Sequence, residues 1–318
     1  MWPGLEYSRA ADVAELLLQF DADVIVLQEA PCEGLDEKWD ARLREPLERI
    51  RALDAILKEN DYTLLRSCAD NATLLATRLS VLATEGFTLD LEGPTATRNG
   101  SEVWTESRGA RYAMLAPPGE LGPPLAVYAT HLSHKDATLV MPSTTKAPRE
   151  PSAAAAAATL PPMRNKLSSW EGATEVSGVR KRQATALLDH METQHLKDMT
   201  VVVLADFNAP IPSHYSEAEW KVIAAGLTSK AVAQPLDDGV RDLLLSRGFQ
   251  CAYDQCPPSQ KNFGGRIAPP MTHWTGTVVD FVYVASTAWR VGGVYVKNTP
   301  LSDHLPVVVD LLRSDAFR

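Results

Sequence analysis

The chain has 318 residues, 45% of them hydrophobic, which suffices for a sizeable packed core. That length is about two average domains, although α/β units often exceed this prior as single folds. A formal net charge of −9 and a pI near 5.3 exclude a broad basic footprint and argue against electrostatic wrapping of a duplex.

From the amino terminus, Arg9–Phe20 carries apolar positions at helical spacing and leads into Val24–Leu27, a short run that reads as a fully buried strand. Asp36–Lys58 places Leu43, Leu47, Ile50, Leu53 and Leu57 on one face, predicting a second amphipathic helix with Pro46 at a kink or restart. Ala72–Ala76, Val81–Leu91 and Ala110–Leu115 read as strands, as does Leu125–Ala129. Between His134 and Gly178 the character changes: Pro142, Pro148, Pro151, Pro161 and Pro162 surround the alanine run Ala153–Ala158, and no amphipathic pattern persists. This predicts a low-complexity insertion at about 135–178 inside one domain, since chemistry-bearing residues flank it. Arg180–Met191 resumes as a helix and Val201–Leu204 as a buried strand. Ser216-Glu-Ala-Glu219 is a capping box opening a helix to about Gly226, and Val240–Arg247 predicts a shorter one. Thr277–Val284, Val291–Val296 and Leu305–Leu312 are the late strands, so a mixed-sheet α/β layer fold is expected.

Cys32, Cys68, Cys251 and Cys256 are the cysteines; no second pair or histidine cluster completes a zinc site, so free thiols are expected. No secretory segment follows Met1, and no apolar stretch is long enough to span a membrane, which predicts an intracellular protein, cytoplasmic or nuclear.

Four apolar runs end in polar punctuation: Gln28-Glu29, Thr130-His131, Asp206-Phe207-Asn208 and, just before the last run, Asp303-His304. Each has an ordinary structural explanation. Glu29 can cap a strand end, His131 can be a satisfied core histidine, and Asp206-Phe-Asn208 and Asp303 can form turns. Together they carry a different meaning, because Glu29, Asp206, Asn208 and Asp303 are hard oxygen donors suited to Mg²⁺ or Mn²⁺. His131 and His304 can meet a phosphoryl oxygen or donate a proton. Asp280, a carboxylate inside the run Val278–Tyr283, needs a partner, and an imidazole is the obvious one. Phosphoester hydrolysis by water is the chemistry these residue types support.

The ordered series Leu27-Gln-Glu29, Thr130-His-Leu132, Arg180-Lys-Arg-Gln183, Asp206-Phe-Asn208, Val279–Val284 and Ser302-Asp-His304 resembles the endonuclease/exonuclease/phosphatase superfamily, the DNase I-like metal-dependent phosphoesterases. The resemblance spans Arg9 to the last strand with one long insertion. It implies a four-layer α/β sandwich of two packed mixed sheets flanked by helices. It also implies Glu29 as principal metal ligand, Asp303 as a carboxylate at the metal or just behind its ligands, and Mg²⁺ as cofactor with Mn²⁺ as substitute. Asp206 would orient or deprotonate the attacking water, and Asn208 would hold water or phosphate beside it. His304, paired with Asp280, and His131 would bind the scissile phosphate, with Glu106 orienting His131.

Two departures from the pattern stand out. No strand ending in a metal-site asparagine precedes the first helix, so either the sequence is incomplete there or the variant lacks a core strand. Thr277 stands where relatives often carry Arg, and Arg180 or Arg182 are the substitute phosphate-side cations, unless they merely form a solvated helix face. His273 and Trp274, in the loop Pro269–Thr277, can stack on a base or sugar or serve as loop packing. The expected function is a Mg²⁺-dependent phosphodiesterase or nuclease, acting on single-stranded nucleic acid or a nucleotide. Sphingomyelinase-like and small-nucleotide phosphodiesterase activities stay open, and the rival from another class is a non-catalytic binding or scaffold relative.

Overall fold

The structure is a computed structural model that describes residues 10–30, 37–67, 73–89, 96–98, 101–103, 108–117, 119, 122–132, 138–140, 174–176, 179–194, 196, 199–229 and 239–314. Its helices are α1 (Ala10–Gln19), α2 (Glu37–Glu59), α3 (Val179–Thr193), α4 (Glu217–Ser229), α5 (Val240–Ser246) and the single turn α6 (Ala252–Gln255). The strands begin with β1 (Val24–Leu27), β2 (Thr63–Ser67), β3 (Thr73–Thr77) and β4 (Val81–Thr88). A short ribbon, β5 (Ala96–Arg98) with β6 (Ser101–Val103), precedes β7 (Gly109–Leu115) and β8 (Leu125–His131). Then follow β9 (Thr138–Val140), β10 (Thr174–Val176), β11 (Thr200–Asp206), β12 (Gln250–Cys251), β13 (Asp280–Ala285), β14 (Trp289–Val296) and β15 (Val307–Arg313).

A six-stranded mixed sheet, ordered β12-β13-β11-β8-β7-β4, is the backbone of the fold. Within it β8 and β11 run parallel and the other neighbours antiparallel. Every residue of β8 is buried, which is why it reads as a continuous apolar run and not as an alternating one. The edge strand β4 is exposed along most of its length. Facing this sheet lie the antiparallel pieces β1-β3-β2 and β14-β15. Leu75 of β3 packs against Ala113, Leu115, Val127 and Ala129 between the two layers. On the far side of β1-β3-β2, Ala14 and Leu17 of α1 and Leu53 and Leu57 of α2 bury against Ile25, Leu74 and Ala76. On the far side of the six-stranded sheet, Ala184, Leu187 and Leu188 of α3 and Leu244 of α5 close the main core. Helix, sheet, sheet, helix is the four-layer α/β sandwich that the sequence implies.

Among the described residues β1 is bonded on one side only, to β3, and β15 on one side only, to β14. Both open edges line one cleft of about 840 Å³, along with Val127, Val202, Leu204 and Val282.

Several expectations shift: Val24–Leu27, expected to be fully buried, is buried only at Ile25, and the last strand starts at Val307, not Leu305. The helix after the capping box runs to Ser229, not Gly226. The strand expected from Thr277 starts at Asp280, because side chains and not a ladder hold the residues before it: the Val278 amide donates to the Tyr215 hydroxyl and the Val279 amide to Thr272 Oγ1. The segment expected to lack regular structure carries the antiparallel ribbon β9-β10, with Val140 opposite Thr174. Cys251 and Cys256 are buried free thiols flanking α6, whereas Cys32 and Cys68 lie outside the described residues. No helix among the described residues is long and apolar enough to cross a membrane.

Candidate active site

Register across the six-stranded sheet builds the site. His131 ends β8 opposite Asp206, and Asp206 ends β11 opposite Asp280, the first residue of β13. Three neighbouring strands thus present an imidazole and two carboxylates in one row, at one margin of the sheet. Hydrogen bonds from the Leu132 amide to the Asp206 carbonyl and from the Phe207 amide to the Val279 carbonyl fix this margin, both at 2.9 Å.

Beyond β11 the chain turns sharply. The Asn208 amide donates to Asp206 Oδ1 at 2.8 Å, and Asn208 adopts a positive φ of 51°. This is the Asx turn that the sequence allows, and it coexists with a site geometry. With Oδ1 engaged by the turn, Oδ2 faces two histidines: His131 Nε2 at 3.3 Å and His304 Nε2 at 3.8 Å. Asn208 Nδ2 lies 2.9 Å from His131 Nε2 and donates to the Leu132 carbonyl at 3.0 Å. Burial alone would raise the Asp206 pKa, but the bond and charge of His131, the charge of His304 and the Asn208 amide reverse this and lower it. Asp206 is therefore a buried carboxylate kept ionised.

His304 arrives from the loop between β14 and β15. Its Nδ1 meets both oxygens of Asp280, at 3.1 and 2.9 Å, which confirms the expected imidazole partner for that carboxylate. Burial opposes a charge on His304, yet the bond to Asp280 and the charges of Asp280, Asp206 and Asp303 outweigh it and push the imidazole up to about 9. The ring is a cation at neutral pH, its proton on Nδ1 held by Asp280. Thr272, fully buried, accepts from the Val279 and Asp280 amides at 3.0 and 3.2 Å and so shapes the entry to β13. The sequence offered no signal for it.

Two loops frame the mouth. The Trp274 amide donates to the Asp303 carbonyl at 2.9 Å, and the Leu305 amide to the Thr272 carbonyl at 2.7 Å. The His273 ring lies 4.6 Å from that of His304, with Trp274 beside it and 48% exposed. From the opposite sheet, Glu29 follows β1 with φ of 55°. Positive φ on a glutamate is strained, and strained residues gather at functional sites. Its carboxylate is 74% exposed and lies 4.0 Å from His131 Nδ1. Glu29, Asp206, Asp280, Asp303 and His304 all line the 840 Å³ cleft.

Arg180 is 1% exposed in the first turn of α3, so it is not part of a solvated helix face, whereas Arg182 is exposed. Glu106 lies outside the described residues. Among the described residues Arg108 lies at His131 Nδ1, its Nη1 3.0 Å away and its side chain buried.

Two groups of donors converge at this margin, each within 4.8 Å: Asp206, Asp280 and His304, and His273, Asp303 and His304. His304, already cationic on Asp280, is a poor ligand. The carboxylates Glu29, Asp206 and Asp303 are hard oxygen donors facing one cleft, a set that fits Mg²⁺ or Mn²⁺. A third group, His214, Cys251 and Asp254, lies apart. There burial pushes the Cys251 thiol up to about 12, and Asp254 is held by His214 and Arg241, so this group is structural.

Residues 4–304 match the Endonuclease/Exonuclease/phosphatase family. A comparison with curated proteins gives no match. Similar solved structures include a mannosyl-6-phosphatase of Bacteroides thetaiotaomicron VPI-5482, at 15% identity and TM-score 0.52, with 96% of this chain and 90% of that one covered. A functionally unknown conserved protein from Enterococcus faecalis V583 aligns at 14% identity and TM-score 0.54, covering 96% and 91%. An endonuclease/exonuclease/phosphatase from Bacteroides vulgatus aligns at 17% and 0.52, covering 97% and 91%. These likenesses establish the shared sandwich fold. With the match over nearly its whole length, the chain belongs to the endonuclease/exonuclease/phosphatase family.

Proposed function

We propose that the chain is a divalent-metal-dependent phosphodiesterase that hydrolyses its ester by one-step attack of water. The observation that carries this reading is the row His131, Asp206, Asp280, in which one buried, ionised carboxylate faces two imidazoles held in different ways. Asp206 orients the attacking water and takes its proton, as its Oδ2 is the basic atom at the margin. Asn208 holds water or a phosphate oxygen beside it. His304, made cationic by Asp280, binds the scissile phosphate, and His131 adds a second hydrogen bond there. Glu29 and Asp303 would hold Mg²⁺, with Mn²⁺ as substitute. When bound, such an ion supplies positive charge to the phosphoryl group. His273 and exposed Trp274, beside His304, offer aromatic faces to the part of the substrate beyond the phosphate, which suits a base of a nucleotide or single strand.

Hydrolysis of bis(p-nitrophenyl) phosphate with Mg²⁺ or Mn²⁺, against EDTA, tests the reading. Asp206→Asn should lower kcat roughly a hundredfold or more with the fold intact. Glu29→Gln should instead raise the metal concentration needed for half-maximal rate. Full activity in both variants would refute the site assignment. Hydrolysis of p-nitrophenyl phosphate alone would make the protein a monoesterase, in line with the name of its Bacteroides thetaiotaomicron structural neighbour. Silence on both esters, with Mg²⁺ still bound in calorimetry, would favour a non-catalytic binding relative.

A further inference from the structure

We propose that Thr272 is a positioning residue that holds Asp280 and His304 in register with each other. The inference rests on the proposed function in taking that pair as the element that binds phosphate. Thr272 is fully buried in the loop 269–277, outside every helix and strand. Its Oγ1 accepts from the Val279 amide at 3.0 Å and from the Asp280 amide at 3.2 Å, so it grips the chain where β13 begins. Its carbonyl accepts from the Leu305 amide at 2.7 Å, one residue after His304. Thr272 thus bonds the backbone on both sides of the Asp280–His304 contact, through its side chain on one half and its main chain on the other. Its own amide donates to the Thr277 carbonyl at 2.9 Å, which closes the loop and fixes the place of this joint.

Sheet pairing alone does not align the two partners. β12 pairs only with Tyr283 and Val284 of β13, so among the described residues β11 alone bonds the start of that strand within the sheet. His304 lies in the loop between β14 and β15, before the first paired residue of β15, Val307. The 2.9 Å contact between Asp280 Oδ2 and His304 Nδ1 therefore joins two segments that share no ladder. The Trp274 amide, on the Asp303 carbonyl, ties the same two loops but does not reach β13. A buried amide left without an acceptor costs more than the bond contributes when made, so the hydroxyl of Thr272 matters more than its bulk. Valine has nearly the same shape and no acceptor, whereas serine keeps the acceptor and loses only a methyl group. The two substitutions separate position from packing.

The test combines amide hydrogen exchange and kinetics on the full chain carrying Thr272→Val or Thr272→Ser. In metal-free buffer the Val279, Asp280 and Leu305 amides should exchange roughly tenfold faster in Thr272→Val and near the wild-type rate in Thr272→Ser, with the amides of β8 unchanged in both. With Mg²⁺ and bis(p-nitrophenyl) phosphate, Thr272→Val should lower kcat/KM roughly 10- to 100-fold, and Thr272→Ser should recover most of that loss. Wild-type kcat/KM in folded Thr272→Val overturns the proposal. A loss that Thr272→Ser does not recover overturns it too, since packing would then be what matters. If Thr272→Val does not fold, Thr272→Ala, which removes the hydroxyl without setting a methyl group against the amides, takes its place in both measurements. Faster exchange at the three amides, recovered by serine, in a protein that hydrolyses no ester would sustain the joint and sink the phosphodiesterase reading. Turnover abolished by Asp206→Asn but untouched by Thr272→Val would do the reverse.

Discussion

His304 gives its Nδ1 proton to a carboxylate, and that bond has a cost and a pH window that can be measured apart from any activity. The pair raises the imidazole from 6.5 to about 9. A group with a raised folded-state value stabilises the fold fully below its unfolded value, here about pH 6.5, and loses that stabilisation as pH rises through about 9. The contribution is on the order of 1–3 kcal/mol, discounted because the imidazole is 32% exposed. In metal-free buffer, Asp280→Asn should unfold at lower urea than the wild-type protein near pH 6, and the difference should vanish as pH rises past about 9. At high pH the wild-type Asp280 becomes a buried anion beside a neutral ring, so its advantage has no remaining source. A urea-midpoint difference constant across that range would show that Asp280 acts through packing alone.

At the level of elements, the start of α4 shows how local chemistry decides structure. Ser216 Oγ donates to Glu219 Oε2 at 2.7 Å, the Ser216 amide donates to the same oxygen at 2.8 Å, and the Glu219 amide returns to Ser216 Oγ at 3.4 Å. Glu219 also meets Arg266 at 2.7 Å, and that bond first, then Ser216, holds its carboxyl down at about 2. Ser216→Ala should destabilise the protein by about 1 kcal/mol and Ser216→Thr by much less, read as shifts in the urea midpoint at constant slope. The box is legible in the sequence because all its partners lie within one turn. The same holds for the apolar runs of β8 and β11 and for the stripe of α3, where period and burial coincide, whereas in β1 only Ile25 is buried. Legibility fails where a partner is distant. Val278 and Val279 prolong an apolar run on paper, yet Tyr215 and Thr272 capture their amides and delay β13 to Asp280. Arg108 and Arg111 look alike in Ser107-Arg-Gly-Ala-Arg111, and only the β7-β8 register sends Arg108 to His131. That residues of the ordered series from Glu29 to His304 lie at one margin was readable in the sequence; the contact of Arg108 with His131 was not.

Across the whole molecule, residues from both sides of the 135–178 segment meet in one site: His131 before it, Asp206, Asp280 and His304 after it. That convergence supports one domain with an insertion over two domains. Protection within this domain is uneven. β11 is flanked by β8 and β13 and nearly every residue in it is buried, so its amides open only when the sheet does. β15 is bonded to β14 alone among the described residues, and its free edge, like that of β1, faces the 840 Å³ cleft. A cleft between two strand edges that are unpaired among the described residues is the weakest part of such a sandwich, since neither edge gains from a neighbour. Native-state hydrogen exchange should therefore place β11 and β8 near the free energy of global unfolding. Amides of β1 and β15 that point into the cleft should open at clearly lower free energy. Protection of those cleft-facing amides equal to that of β11 would mean that the edges are covered in solution. Light scattering on the same sample would then separate cover by a second copy of the chain, which raises the mass, from cover by the chain's own residues, which leaves it unchanged.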